Sequence, residues 1–160
     1  MKKQITLLTL MLFSTFSQAQ LAWLKLPDFP GGERMLCTAF SINGKGYMGL
    51  GIDSNFQYHN DWYEYDPVTN SWTAKTSLPS VGRDHATGVA VDTLGYVIAG
   101  EVAGGATAQV WQYNPYVDSW VAKSSVPVAR ENGTGFALNG KIYYGTGFQG
   151  STAGAGPPMQ

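Results

Sequence analysis

The sequence predicts an all-β chain of repeated four-stranded antiparallel sheets, and three observations carry that expectation. Twenty Gly and eight Pro punctuate the 160 residues, and five Trp, nine Tyr and seven Phe suit pleated surfaces. A fixed period runs through the chain: Trp23, Trp72 and Trp120 are spaced by 49 and 48 residues. Two Asn-Gly pairs, Asn43-Gly44 and Asn139-Gly140, mark tight hairpins, because two-residue turns need residues that accept positive φ.

The elements follow in order. Lys2 and Lys3, an apolar run from Ile5 to Phe16 and the ending Ser17-Gln18-Ala19 read as a secretory signal peptide over residues 1–19, cut before Gln20. The run is shorter than the roughly 20 residues a membrane-spanning helix needs, so no membrane span is expected after cleavage. A lone strand d is expected at Leu21–Leu26. The first complete unit has strand a at Met35–Ile42, strand b at Gly46–Gly51, strand c at Asp61–Asp66 and strand d at Ser71–Lys75. The second repeats it at His85–Val91, Gly95–Gly100, Gln109–Asn114 and Ser119–Lys123. The third offers only a and b, at Gly133–Leu138 and Lys141–Gly145. Residues 148–160, rich in Gly and Pro, read as a loop or a truncated continuation of the array.

Four short antiparallel strands per period make one blade of a β-propeller. WYEYDPVTNSW (Trp62–Trp72) and VWQYNPYVDSW (Val110–Trp120) align without a gap, and an arginine recurs before each strand a, at Arg34, Arg83 and Arg130. On these residues the segment 20–147 resembles the kelch-repeat propeller family, of the kind found in exported bacterial proteins with galactose oxidase-like propellers. The resemblance rests on the Tyr-Asp-Pro turn, the strand-d tryptophan and a double glycine after strand b. That glycine pair is altered to Gly49-Leu50-Gly51, Ala99-Gly100 and Gly145-Thr146-Gly147, and Tyr-Asp-Pro becomes Tyr113-Asn114-Pro115 in the second unit. The expected architecture is an incomplete ring of two full blades, one partial blade and the N-terminal strand d. Closure takes at least four blades, or about 192 residues at this period. The sequence is therefore expected to be the start of a longer protein or a truncated product, unless several chains build one ring. Open blade faces would then favour self-association.

Composition narrows the partners. Ten basic and eleven acidic residues give a net charge of −1, which removal of Lys2 and Lys3 with the leader changes to −3, against a nucleic-acid groove. The single Cys37 rules out an internal disulfide framework and any multi-cysteine metal site. No metal or cofactor is expected.

In a propeller the d-to-a and b-to-c loops meet at one mouth, where the starts of the a strands approach the axis. The expected ligand-binding residues are Arg34, Asp53, Arg83, His85, Glu101, Arg130 and Asn132. Arginine forks suit carboxylates and phosphates, although an arginine repeated in register more often clamps neighbouring blades. His85 carries more information, since Leu36 and Asn132 hold its position in the other units. No spacing singles out a catalytic acid and base. The leading expectation is an exported binding module, periplasmic, extracellular or at the cell surface, that contacts a protein or glycan through the mouth. The resemblance implies an alternative, part of a propeller enzyme acting on carbohydrate. A sialic acid mutarotase needs a proton-transferring carboxylate such as Glu101 or Glu131 with a basic partner. A galactose oxidase-like copper site needs Cys37, His59 and His85 in an arrangement the sequence does not match.

Overall fold

The computed structural model describes residues 23–149. The expected leader, residues 1–19, and the tail beyond residue 149 lie outside them. The first sheet is β1 (Thr38–Ile42), β2 (Lys45–Gly49), β3 (Trp62–Asp66) and β4 (Ser71–Lys75), antiparallel and adjacent in chain order. The second contains β5 (Thr87–Val91) and β6 (Leu94–Ile98), then a small hairpin of β7 (Glu101–Val102) and β8 (Gly105–Ala106), then β9 (Val110–Asn114) and β10 (Ser119–Lys123). Its order is β5-β6-β9-β10, with β7 and β8 pairing apart. A two-stranded sheet of β11 (Thr134–Leu138) and β12 (Lys141–Gly145) begins the third. The inner strand β5 packs between β1 and β11, which sets the three units side by side about a common axis. The described residues contain no helix and no closed ring.

Local chemistry accounts for each turn. Asn43 and Gly44 take φ of 52° and 76°, and Asn139 and Gly140 take 52° and 70°, so both Asn-Gly pairs form the expected two-residue hairpins. After strand c, the Asp66 carboxylate accepts the Val68 amide at 2.8 Å, and Asn114 Oδ1 accepts the Tyr116 amide at 3.0 Å. An amide oxygen makes the same turn hydrogen bond as a carboxylate, which explains why the second unit tolerates Asn.

Strand boundaries differ from expectation for a reason that repeats. Leu36, His85 and Asn132 take φ of 60°, 50° and 55°, so the regular a strands start only at Thr38, Thr87 and Thr134. The residue before each still makes an isolated bridge, Met35 to Ile52, Asp84 to Glu101 and Glu131 to Phe148. Strand b stops early because Leu50, Ala99 and Thr146 and then Gly51, Gly100 and Gly147 are all left-handed. A Cβ on those glycines would press on the carbonyl oxygens of Met35, Asp84 and Glu131, so the second glycine of the motif survives where the first has been replaced.

The core lies between blades. Ile42, Tyr47, Leu50 and Trp62 of the first blade and Val97 and Tyr113 of the second are at most 3% exposed, together with Leu78 of the connecting segment. Trp62 packs edge-on against Trp120 at 5.4 Å, and such pairs add about 0.5–1.5 kcal/mol beyond the area they bury. A second cluster, Val89, Ile98 and Ala99 with Ile142 and Tyr144, joins the second blade to the third. Thr38 Oγ1 donates to the Ala86 carbonyl and Thr87 Oγ1 to that of Gly133, stitching successive inner strands. Trp120 Nε1 donates to Thr76 O, as Trp72 Nε1 does to Pro27 O, which gives the recurrent tryptophan a polar as well as a packing role.

The lone N-terminal strand is not formed at residues 23–26, where no ladder is present and Trp23 is fully exposed. An outermost strand needs a strand c to bond to, and the third unit provides none among the described residues. The β7–β8 hairpin was not expected from sequence; its Ala-Gly-Gly-Ala stretch carries no alternating pattern.

Candidate functional site

The recurrent arginines are engaged in parallel ways. Arg34 Nη1 donates to Leu50 O at 3.1 Å, Arg83 Nη1 to Ala99 O at 3.2 Å and Arg130 Nη1 to Thr146 O at 3.1 Å. Each therefore holds the left-handed end of strand b in its own blade. Arg34 also pairs with Asp61 at 2.5 Å. Arg83, wholly buried, reaches Ser80 Oγ and Gln109 Oε1 instead, and desolvation pulls its pKa down to about 10. These contacts support the clamp reading for the three arginines.

Asp53 closes the first b-to-c loop on itself. Its carboxylate accepts the amides of Asn55 and Gln57 and lies 3.1 Å from His59 Nε2, bonds that hold its pKa below the usual range. A shallow recess of about 180 Å³ beside it is lined by Glu33, Arg34, Met35, Ile52, Asp53 and Ser54.

His85 and Glu101 do come together, with Glu131, the other carboxylate expected for the mutarotase alternative, and with Asp84, which the expected ligand-binding set left out. The β-bridge between Asp84 and Glu101 (N···O 3.0 and 2.9 Å) brings the end of strand b beside the start of strand a. His85 Nδ1 lies 2.8 Å from Asp84 Oδ1 and 3.7 Å from Glu101 Oε2. Glu131, in the same register position as Asp84 but in the third unit, reaches Glu101 across the blade boundary. Burial first, and then the neighbouring Glu101 carboxyl, push Glu131 up to about 7. Asp84 is 2% exposed and burial raises its pKa too. Tyr58, held by a bridge to Ile52 in the first blade, approaches the same acids, and burial with Glu101 and Asp84 nearby raises its phenol. Asn132 contributes backbone, its amide donating to His85 O at 3.2 Å.

Three blades thus converge on one polar cluster. Asp84 and Glu131 were legible by the test that singled out His85: Met35 fills their position in the first unit, so the repeat is broken there by charge. One ligand atom from each of Asp84, His85 and Glu101 can be chosen so that all lie within 4.8 Å of one another. Neither Cys37 nor His59 belongs to that group, so the galactose oxidase-like copper arrangement is not assembled among the described residues. A carboxyl raised toward neutral pH, with an imidazole and further carboxyls in the same cluster, can accept a proton from one substrate oxygen and return one to another.

No family model matches the chain. It is 32% identical over 85 residues to the N-acetylneuraminate epimerase of Salmonella typhi, covering 50% of this chain and 22% of the relative. The enzyme of the same name from Pasteurella multocida (strain Pm70) is 30% identical over 95 residues, 56% and 23% of the two chains. That of Shigella sonnei (strain Ss046) is 41% identical over 64 residues, 38% and 17%. The chain therefore spans less than a quarter of the length of these curated relatives. Among solved structures, that of YjhT superposes with a TM-score of 0.65 at 30% identity, covering 74% of this chain and 35% of the other. Repeat register, blade topology and these likenesses agree: the described residues form four-stranded antiparallel blades of the β-propeller kind, similar to those of the kelch-type propeller YjhT, with no closed ring among them.

Proposed function

We propose that the chain supplies part of the active site of an exported kelch-type propeller enzyme that interconverts the anomers of a sialic-acid-type sugar. The observation that carries this is the convergence of Asp84, His85 and Glu101 of the second blade with Glu131 of the third, where burial and the neighbouring Glu101 push the Glu131 carboxyl up to about 7. The names of the relatives supply the substrate class. Anomer exchange in a cyclic hemiketal needs no redox partner. A base takes the proton of the anomeric hydroxyl, an acid protonates the ring oxygen, and the ring C–O bond breaks to the open ketone. Rotation about the freed bond and the reverse proton transfers close the ring on its other face. A carboxyl whose pKa sits near the working pH serves either direction. The leader expected at residues 1–19 puts the reaction outside the cytoplasm.

The test is anomer exchange of N-acetylneuraminate followed by proton NMR at pH 7 with the full-length protein. The expected result is acceleration over the spontaneous rate, with Glu131→Gln slowing the enzyme by roughly a hundredfold or more. An unchanged rate in Glu131→Gln overturns the assignment. Saturable binding of the sugar without acceleration returns the protein to the glycan-binding module that the sequence favours.

A further inference from the structure

The exchange reaction moves two protons, one off the anomeric hydroxyl and one onto the ring oxygen, and a single carboxyl serves both only by shuttling between them. The cluster holds a second group suited to the task. His85 is not demanded by the fold: Leu36 and Asn132 occupy its position with nearly the same left-handed backbone, φ of 60° and 55° against 50°. Only the side chain differs, so the imidazole itself is what this position adds. Its side chain is 20% exposed, while that of its partner Asp84 is 3% exposed. A reachable imidazole backed by a sealed carboxylate divides the work between them: one exchanges protons with a ligand, the other sets orientation.

Resting on the sugar-exchange reading, we propose that Asp84 is a positioning residue that holds His85 as the Nδ1–H tautomer, leaving Nε2 as a proton acceptor. The 2.8 Å separation from Asp84 Oδ1 suits a hydrogen bond, whereas Glu101 Oε2, 3.7 Å from the same nitrogen, is too far to compete for it. Asp84 is itself tied down by two backbone bonds to Glu101, so its carboxylate presents a fixed acceptor. His85 Nε2 has no hydrogen-bond partner among the described residues. The other titratable groups facing the cluster are Tyr58, Glu101 and Glu131. Tyr58, raised by burial and the acids around it, stays neutral at pH 7. With Nε2 taking the hydroxyl proton and Glu131 delivering one to the ring oxygen, each proton has its own carrier and the reaction leaves the cluster one intramolecular transfer from its starting state.

The full-length protein labelled with ¹⁵N-histidine tests this by long-range proton–nitrogen correlation at pH 8. The expected spectrum shows His85 protonated at Nδ1 and bare at Nε2. Asp84→Asn is expected to shift the proton toward Nε2 and to lower kcat by roughly a hundredfold with KM little changed. His85→Asn, the residue the third unit already carries there, keeps the fold and is expected to lose turnover to a similar extent. A wild-type spectrum dominated by the Nε2–H form overturns the proposal, even if Asp84→Asn fails to fold. So does full turnover in His85→Asn. The Nδ1–H tautomer in a protein that accelerates no anomer exchange supports the Asp84–His85 pairing and removes the sugar reading instead.

Discussion

Arg83 Nη2 donates to the uncharged Gln109 Oε1 at 2.6 Å, at the register position where Arg34 meets the Asp61 carboxylate. The neighbouring contacts repeat as well: Tyr63 OH donates to Asp61 as Trp111 Nε1 donates to Gln109. The second blade thus keeps the hydrogen bonds of the first and drops the counter-charge, leaving a fully buried guanidinium whose pKa has fallen to about 10. Gln109→Glu changes one atom type and restores the pair. Because the arginine is already desolvated, the new carboxylate is expected to raise stability by about 1–3 kcal/mol. Urea unfolding of the two proteins at pH 7 checks it. An unchanged or lower midpoint means that desolvating the added carboxylate outweighs the pairing.

Thr146 has φ of 63° at the position where the repeat ordinarily carries the first of two glycines, and its side chain is exposed. A left-handed conformation costs an L-residue about 1–2 kcal/mol, and β-branching makes threonine a poor occupant. Thr146→Gly is therefore expected to stabilise the third unit by about 1 kcal/mol in thermal or chemical melts. Leu50 takes the equivalent conformation, φ 60°, yet its side chain is 0% exposed between the first two blades. There the order of effects reverses. Leu50→Gly is expected to destabilise by about 2–4 kcal/mol, since the cavity costs more than the relief of strain returns. Two glycine substitutions of opposite sign separate backbone strain from core packing at one motif position.

The blades were legible because their signals are local: Asn43-Gly44 needs only its own φ preferences, and Tyr63 and Tyr65 alternate within five residues. The strand ends were less so. Leu36, His85 and Asn132 share a backbone state with no common side chain, so nothing in their chemistry announces the break before Thr38, Thr87 and Thr134. The site divides along the same line. Position-by-position comparison of the units picked out His85, and applied one residue earlier it picks out Asp84 and Glu131. Tyr58 lies in a b-to-c loop that differs between units in length and content, so register carries no information there. The arginines were legible as a repeat, but their partners, the carbonyls of Leu50, Ala99 and Thr146, are backbone atoms that no sequence pattern displays.

The open face of the third unit bears on association. Phe136 and Tyr143 stack at 5.3 Å and 13° and are 56% and 44% exposed, whereas Tyr47, the counterpart of Tyr143 in the first blade, is 3% exposed beneath the second. Leu138 at the end of β11 and Phe148 beyond β12 are exposed as well. The 160-residue chain alone is expected to associate with a second copy of itself at micromolar concentrations. Phe136→Ser combined with Tyr143→Ser should lower the apparent mass in light scattering, while Val121→Ser on the exposed strand β10 should not. A chain that stays monomeric throughout the concentration series would show that this face does not drive association.

Glu131 makes the final prediction one of sign. Its folded pKa is raised from an ordinary 4.5 to about 7, so the folded protein holds a proton that the unfolded chain releases earlier. Stability from this proton is complete below about pH 4.5, falls as pH rises toward 7, and is lost above that. Asp53, Glu64, Asp66 and Asp118 are shifted downward and contribute the opposite trend at more acidic pH, while Asp84 is shifted upward like Glu131, so the total curve does not isolate Glu131. The difference from Glu131→Gln does, because these other carboxylates are common to both proteins. Relative to Glu131→Gln, the wild-type melting temperature is expected to drop progressively between about pH 4.5 and 7 and then run parallel to it. A difference that stays flat across this range would mean that Glu131 holds no proton near neutral pH, and its carboxyl would lose its claim to proton transfer.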